Sequence, residues 1–122
     1  MNVKKSLFVV NCFLFFITCL KADELSFHPI ENYKSGALPF SVAIDDINGD
    51  QWPDLATANA MDNMVRLLTN RGDGTFLLKE DITSNTPLDL AFIDCESDGD
   101  LDLLVTDGGN AVVNLFKNDG SG

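Results

Sequence analysis

With 122 residues, 19 acidic against 8 basic side chains and a formal net charge of −11, the chain is long enough for one modest core. A surface this acidic repels nucleic acid and anionic lipid headgroups, which excludes both as expected partners. The same excess of carboxylate favours divalent cations.

The amino terminus places Lys4 and Lys5 before an apolar run from Leu7 to Leu20, followed by Lys21-Ala22-Asp23-Glu24. A short basic region, a hydrophobic stretch and a small residue before an acidic start predict a secretory signal peptide over residues 1–22. The run is shorter than the roughly 20 apolar residues a bilayer span requires. A secreted or extracytoplasmic product, free of the membrane after cleavage, is therefore expected. Cys19 is a candidate for lipid modification, but Phe16-Ile17-Thr18 before it is a poor lipoprotein signal. Cleavage removes Cys12 and Cys19 and leaves Cys95 alone, so no internal disulfide is expected. The mature region, 23–122, keeps five basic residues (Lys34, Arg66, Arg71, Lys79 and Lys117) against 19 acidic ones, a balance of −14. A small exported domain without a cystine needs another staple.

From Phe27 onward the elements read as short strands and turns. FSVAI (40–44) is an apolar, partly β-branched run between Pro39 and an acidic loop. LATA (55–58) follows the loop, then MVRLLTN (64–70), then the glycines of NRGDGT, and Phe76-Leu77-Leu78 opens a fourth run. LDLAFI (88–93), LDLLVT (101–106) and AVVNLFK (111–117) occupy the same places further on. Short apolar runs separated by Gly, Asn and Asp predict a small antiparallel sheet, and no segment carries a sustained helical period with caps.

These two stretches repeat one another. Residues 39–74 laid over 87–122 without a gap share 11 identities in 36 positions, among them Asp46/Asp94, Asp50/Asp98, Asp54/Asp102, Val65/Val113, Leu67/Leu115 and Asn70/Asn118. The boundaries expected are repeat 1 over about 39–86 and repeat 2 over about 87–122. A unit of this length with four strands is the size of one β-propeller blade. The fold class expected is all-β: two four-stranded antiparallel blades, the second incomplete, within a larger propeller.

Each repeat carries one acidic loop, with oxygen-bearing side chains at Asp46, Asn48, Asp50 and Asp54 in the first and Asp94, Glu96, Asp98 and Asp102 in the second. Counted from the first Asp, both are occupied at positions 1, 3, 5 and 9. Alternate residues of a tight loop point inward, and the carbonyls at position 7, Trp52 and Asp100, can add an oxygen. A shell of hard oxygens without His or Cys favours Ca²⁺ over Mg²⁺ and disfavours zinc. Two carboxylates about 4 Å apart repel by about 1 kcal/mol in water and about 4 at an effective dielectric near 20, so a counter-ion is expected. The plainer alternative, that Asp and Asn merely form turns through bonds to nearby backbone, explains one or two residues per loop. An EF-hand is excluded, because position 12 is Thr57 in one loop and Val105 in the other, each within a strand-like run.

The first loop, D-x-N-G-D-x-x-x-D-L, and the second, D-x-E-x-D-G-x-x-D-L, resemble the FG-GAP or VCBS-type repeat also known from the propeller of integrin α-subunits. The resemblance extends through Val65–Asn70 to the turn Gly72-Asp73-Gly74-Thr75-Phe76, and Phe27, Tyr33, Gly36 and Pro39 resemble the family's lead-in. It implies Ca²⁺ bound in the loops of a six- or seven-bladed propeller. Three departures stand out. Gln51 replaces the usual Gly at position 6, Glu96 is one methylene longer than the usual Asp or Asn, and the second turn stops at Gly122. Two blades leave apolar faces and strand edges open, so an amino-terminal piece of a longer protein is expected, with self-assembly of copies as the rival.

No catalytic residue is expected. The single histidine, His28, stands far in sequence from either acidic cluster, and there is no G-x-S-x-G, H-E-x-x-H or P-loop. Cys95 lies among carboxylates that disfavour its thiolate. Trp52 reads as a packed loop residue before it reads as a stacking platform. The function expected is a non-catalytic, Ca²⁺-stabilised extracellular module for protein or carbohydrate binding or adhesion. The alternative is a calcium-binding scaffold of a secreted hydrolase or lyase whose catalytic part lies beyond Gly122.

Overall fold

The computed structural model describes residues 26–27 and 29–120. The expected signal peptide over residues 1–22, with Cys12 and Cys19, and also His28, lie outside them. The chain divides at Glu31 into two units, and among the described residues all the strands belong to the second, Asn32–Gly122.

Seven strands follow in chain order: β1 (Pro39–Asp45), β2 (Asp54–Asn59), β3 (Met64–Asn70), β4 (Phe76–Thr83), β5 (Pro87–Ile93), β6 (Asp102–Asp107) and β7 (Val112–Phe116). Strands β1-β2-β3-β4 form one antiparallel sheet and β5-β6-β7 a second. The all-β reading holds among the described residues. A propeller does not follow from it, since the sheets are two open antiparallel layers and do not close.

The repeat is written into the register. Pro39 and Pro87, Asp54 and Asp102, and Met64 and Val112 each open equivalent strands 48 residues apart. Ile44 faces Leu55 as Phe92 faces Leu103, and both first strands carry an irregularity directly after their proline. Proline has no N–H to give the ladder, so it is tolerated where pairing is already interrupted. The β3–β4 turn closes as expected, with the Arg71 N–H donating to the Thr75 carbonyl at 2.9 Å while Gly72 and Gly74 take φ of 81° and 83°.

Between the sheets lies a small core. Ala56 and Val65 from the first sheet meet Leu103 and Val105 from the second, with Ala43, Leu67, Ile82, Leu90, Phe92 and Phe116 packed around them. Small alanines on β1 and β2 allow the second sheet to approach closely. Asn63 then ties the connection between the sheets to the β2–β3 turn. Its side-chain oxygen accepts the Thr86 N–H at 2.9 Å and its carbonyl the Ser84 N–H at 3.0 Å.

Candidate metal centre

The β1–β2 and β5–β6 connections carry the acidic residues, and both curl in the same way. In the first, Asp46 accepts the N–H groups of Asp50 (3.1 Å) and Gln51 (2.7 Å) on its two oxygens. Asn48 Oδ1 accepts the same Asp50 N–H at 2.9 Å, and Asp50 Oδ1 accepts that of Trp52 at 2.8 Å. The side chains at positions 1, 3 and 5 therefore all turn into the loop, and two of their oxygens meet at a single N–H. In the second, Asp94 accepts from Asp98 (3.2 Å) and Gly99 (3.1 Å), and Asp98 accepts from Asp100 (3.1 Å).

Positive φ at positions 4 and 6 makes this curl possible. Those positions are Gly49 (74°) and Gln51 (72°) in the first loop, Ser97 (60°) and Gly99 (95°) in the second. Each loop has glycine at one of the two strained positions and a side chain at the other. Gln51, which stands where the usual residue is Gly, takes this φ with a side chain, and so does Ser97 at position 4 of the second loop, which the sequence did not signal.

The position-9 aspartates close the base of each loop and are both buried. Asp54 accepts the Asn70 N–H at 2.7 Å and the Ile47 N–H at 3.3 Å. Asp102 accepts the Asn118 N–H at 2.9 Å and the Cys95 N–H at 3.2 Å. Their acidities nevertheless diverge. Burial pushes the Asp54 carboxyl above its ordinary value despite the N–H bonds, and the nearby Asp50 and Asp46 carboxylates push the same way. The Asn118 N–H holds Asp102 below the ordinary value against its burial, helped by Cys95 and the charge of Lys117.

Lys117 also accounts for Glu96, with which it forms an ion pair. Glu96 is thus turned to Lys117, while Asp94, Asp98 and Asp102 share hydrogen bonds within the loop. At position 7, Asp100 lies against Gly120, as Trp52 lies across Gly72, where an added Cβ would come within 2.9 Å of the indole Nε1. Trp52 is a loop residue packed on the turn with half its surface open. Cys95 is exposed, and its thiol is pushed up by desolvation first and by Asp102 second, in the direction expected.

The chemistry of the donors suits a hard cation. Each carboxylate oxygen that accepts one N–H keeps a further lone pair, and every donor is oxygen. Among the described residues, however, no three His, Cys, Asp or Glu side chains are gathered in the manner of a finished metal shell. The loops are curled by their own N–H groups, with the acids turned inward.

Two residues that bind these loops together were not singled out from the sequence as site residues. Asn70 and Asn118 each donate the backbone N–H to the position-9 aspartate and accept a turn N–H, from Gly72 and Gly120, on the side-chain oxygen. Asn118 Nδ2 also reaches the Ile47 carbonyl of the first loop at 3.1 Å, crossing from one sheet to the other. Their identity across the repeat was the available signal. The second omission is Asp107 at the far end of β6. It is buried and accepts from Asn85 N (3.0 Å), Asn110 N (2.8 Å) and the amides of Asn110 and Asn114.

The family model for FG-GAP-like repeats matches residues 46–105, from the first aspartate of one loop to the strand that follows the other. The chain carries an FG-GAP-like repeat. No match to it was found among curated proteins or among solved structures. The matched span of the FG-GAP-like repeat holds all ten residues expected at the two loops, together with strands β2 to β5. Among the described residues no helix is long and apolar enough to cross a membrane.

Proposed function

We propose that the chain is a non-catalytic, extracellular, Ca²⁺-binding module of β-propeller type that serves protein or carbohydrate binding or adhesion. FG-GAP-like repeats are generally non-catalytic and typically occur in extracellular proteins, which supports the first two parts of that reading. The observation that carries the calcium assignment is the pair of loops. Both turn the side chains at positions 1 and 5 inward above a buried aspartate at position 9. In the first loop, Asp46, Asn48, Asp50 and Asp54 would hold the ion. In the second, Asp94, Asp98 and Asp102 would do so, with Glu96 drawn off by Lys117, and the carbonyls of Trp52 and Asp100 are further candidate donors. A bound cation neutralises the carboxylates and cross-links each loop to the strand behind it.

For the ligand, an open groove of about 330 Å³ beside the first loop has an apolar floor that includes Phe92 and Leu103 and a rim with Lys79 and Lys117. Calorimetric titration with Ca²⁺, paired with thermal unfolding in Ca²⁺ and in chelator, tests the metal assignment. Sites of extracellular modules bind with Kd of roughly 10⁻⁴–10⁻³ M. At tenfold saturation one site adds about 1.4 kcal/mol of stability. Asp98→Ala should remove most of the second site's heat and leave the first.

A further inference from the structure

Asn48 is the one asparagine of the sequence that is followed by glycine. It stands at position 3 of the first loop, where Asn48, Gly49 and Asp50 are all exposed. Its side chain is held at one end. Oδ1 accepts the Asp50 N–H at 2.9 Å, a donor shared with Asp46 Oδ1 at 3.1 Å, whereas Nδ2 donates to nothing among the described residues. The Gly49 N–H likewise donates to nothing among them. Gly49 takes a φ of 74°, and a Cβ built there would meet no other part of the chain within 4 Å, so water reaches this stretch of backbone. Asn110 supplies the contrast. It too is exposed, and the residue after it, Ala111, also has a positive φ (56°). Ala111 carries a methyl group, however, and the Asn110 amide donates to Asp107 at 3.1 Å.

An asparagine side chain beside an unhindered backbone nitrogen carries its own nucleophile within reach. The Gly49 nitrogen gives its proton to hydroxide and bonds to Asn48 Cγ. Negative charge then collects on Oδ1, the atom to which the Asp50 N–H already donates. Nδ2 leaves as ammonia, taking a proton from water, and a five-membered succinimide joins residues 48 and 49. Water opens that ring at either carbonyl, which gives aspartate or isoaspartate at position 48. The net change is amide plus water to carboxylate plus ammonium, with nothing oxidised or reduced. We propose that Asn48 is a site of spontaneous deamidation in the folded chain, which adds a fourth carboxylate to Asp46, Asp50 and Asp54 in the first loop. The second loop already holds an acid at that place, Glu96. The aspartate product keeps the backbone of the loop. Isoaspartate lengthens it by one carbon between Asp46 and the Asp50 N–H that Asp46 accepts, and so disturbs the curl. The inference does not depend on calcium.

The test holds the full chain in neutral buffer with chelator, below its melting temperature, and follows it by peptide mapping with mass spectrometry, which separates the aspartate and isoaspartate products. Asn48 should convert at least about tenfold faster than Asn110, a barrier difference of about 1.4 kcal/mol. Gly49→Ser gives the first loop the residue type that the second holds at the same position, Ser97 at a φ of 60°, and its fold is checked by circular dichroism. The added side chain crowds the attacking nitrogen and should slow conversion severalfold. Asn48→Gln requires a ring one atom larger and should lose the reaction at this position. No conversion at Asn48 overturns the proposal. So does conversion no faster than at Asn110, or a rate unmoved by Gly49→Ser.

Discussion

At the scale of the residue, the same four or five positions recur in two copies, and the differences between copies predict behaviour. Gln51 holds a φ of 72° where its counterpart is Gly99. A side chain in that region costs about 1 kcal/mol, so Gln51→Gly should stabilise the fold by about that much in urea unfolding. The divergence of the position-9 aspartates sets a pH order. Asp54 has its carboxyl raised by burial and by its acidic neighbours, so it takes up a proton at higher pH than Asp102, whose carboxyl is lowered. On the proposed Ca²⁺ assignment, the first loop should lose its ion before the second as pH falls, measurable by titrating Asp98→Ala and Asp50→Ala variants at several pH values.

Asp107 supplies the opposite case, one concerned with stability. Burial alone would raise its carboxyl, but the N–H groups of Asn110 and Asn85 and the amides of Asn110 and Asn114 outweigh it and hold it low. Its folded value lies below its unfolded one. The stability it contributes is thus present above the ordinary carboxylate range and lost as pH falls through the folded value. Asp107→Asn should flatten the loss of urea midpoint below about pH 4 relative to the unsubstituted chain.

At the scale of the element, equivalent strands that share residues stand in unequal surroundings. Val65 lies in the core between the sheets and Val113 on an open face. Val65→Ala should cost about 2 kcal/mol through lost burial and the cavity left behind. Val113→Ala should stay within about 0.5 kcal/mol when the chain is monomeric. The strands themselves were legible, because alternating apolar runs between glycine- and aspartate-rich turns leave few other options. Boundaries moved by a residue or so: β6 begins at Asp102 and β7 ends at Phe116. The loops were legible too, since inward-turning side chains at alternate positions follow from spacing. What was not legible depended on contacts between distant residues. Lys117 reaches Glu96 from 21 residues away, which removes Glu96 from the loop's interior. Asp107 and Asn59 occupy the same place in their strands and read as ordinary polar residues until the fold buries them. Asp107 has partners from the inter-sheet connection and the following turn, whereas Asn59 Oδ1 has none among the described residues.

At the scale of the whole molecule, two sheets with one small core carry a large excess of negative charge and no cystine among the described residues. The contacts that hold the sheets to each other are few and specific. They are the alanine-lined core, the Asn63 clamp on the connection, the Ser41 Oγ–Asp89 Oδ1 bond at 2.7 Å, and Asn118 reaching back to the first loop. Asn118→Ala should loosen the first loop from the second sheet and speed hydrogen exchange at the N–H groups of Ile47 and Asp50. Both loops lie at the same end of their sheets, so a cation bound as proposed would act on both sheets at once.

Calorimetric titration of the full chain with Ca²⁺, read beside its melting temperature in chelator, tests the central claim most directly. The account predicts saturable uptake in the millimolar range or tighter and a melting temperature that rises with Ca²⁺ and falls when it is withdrawn. No uptake, and a melting temperature unmoved by either treatment, would contradict it.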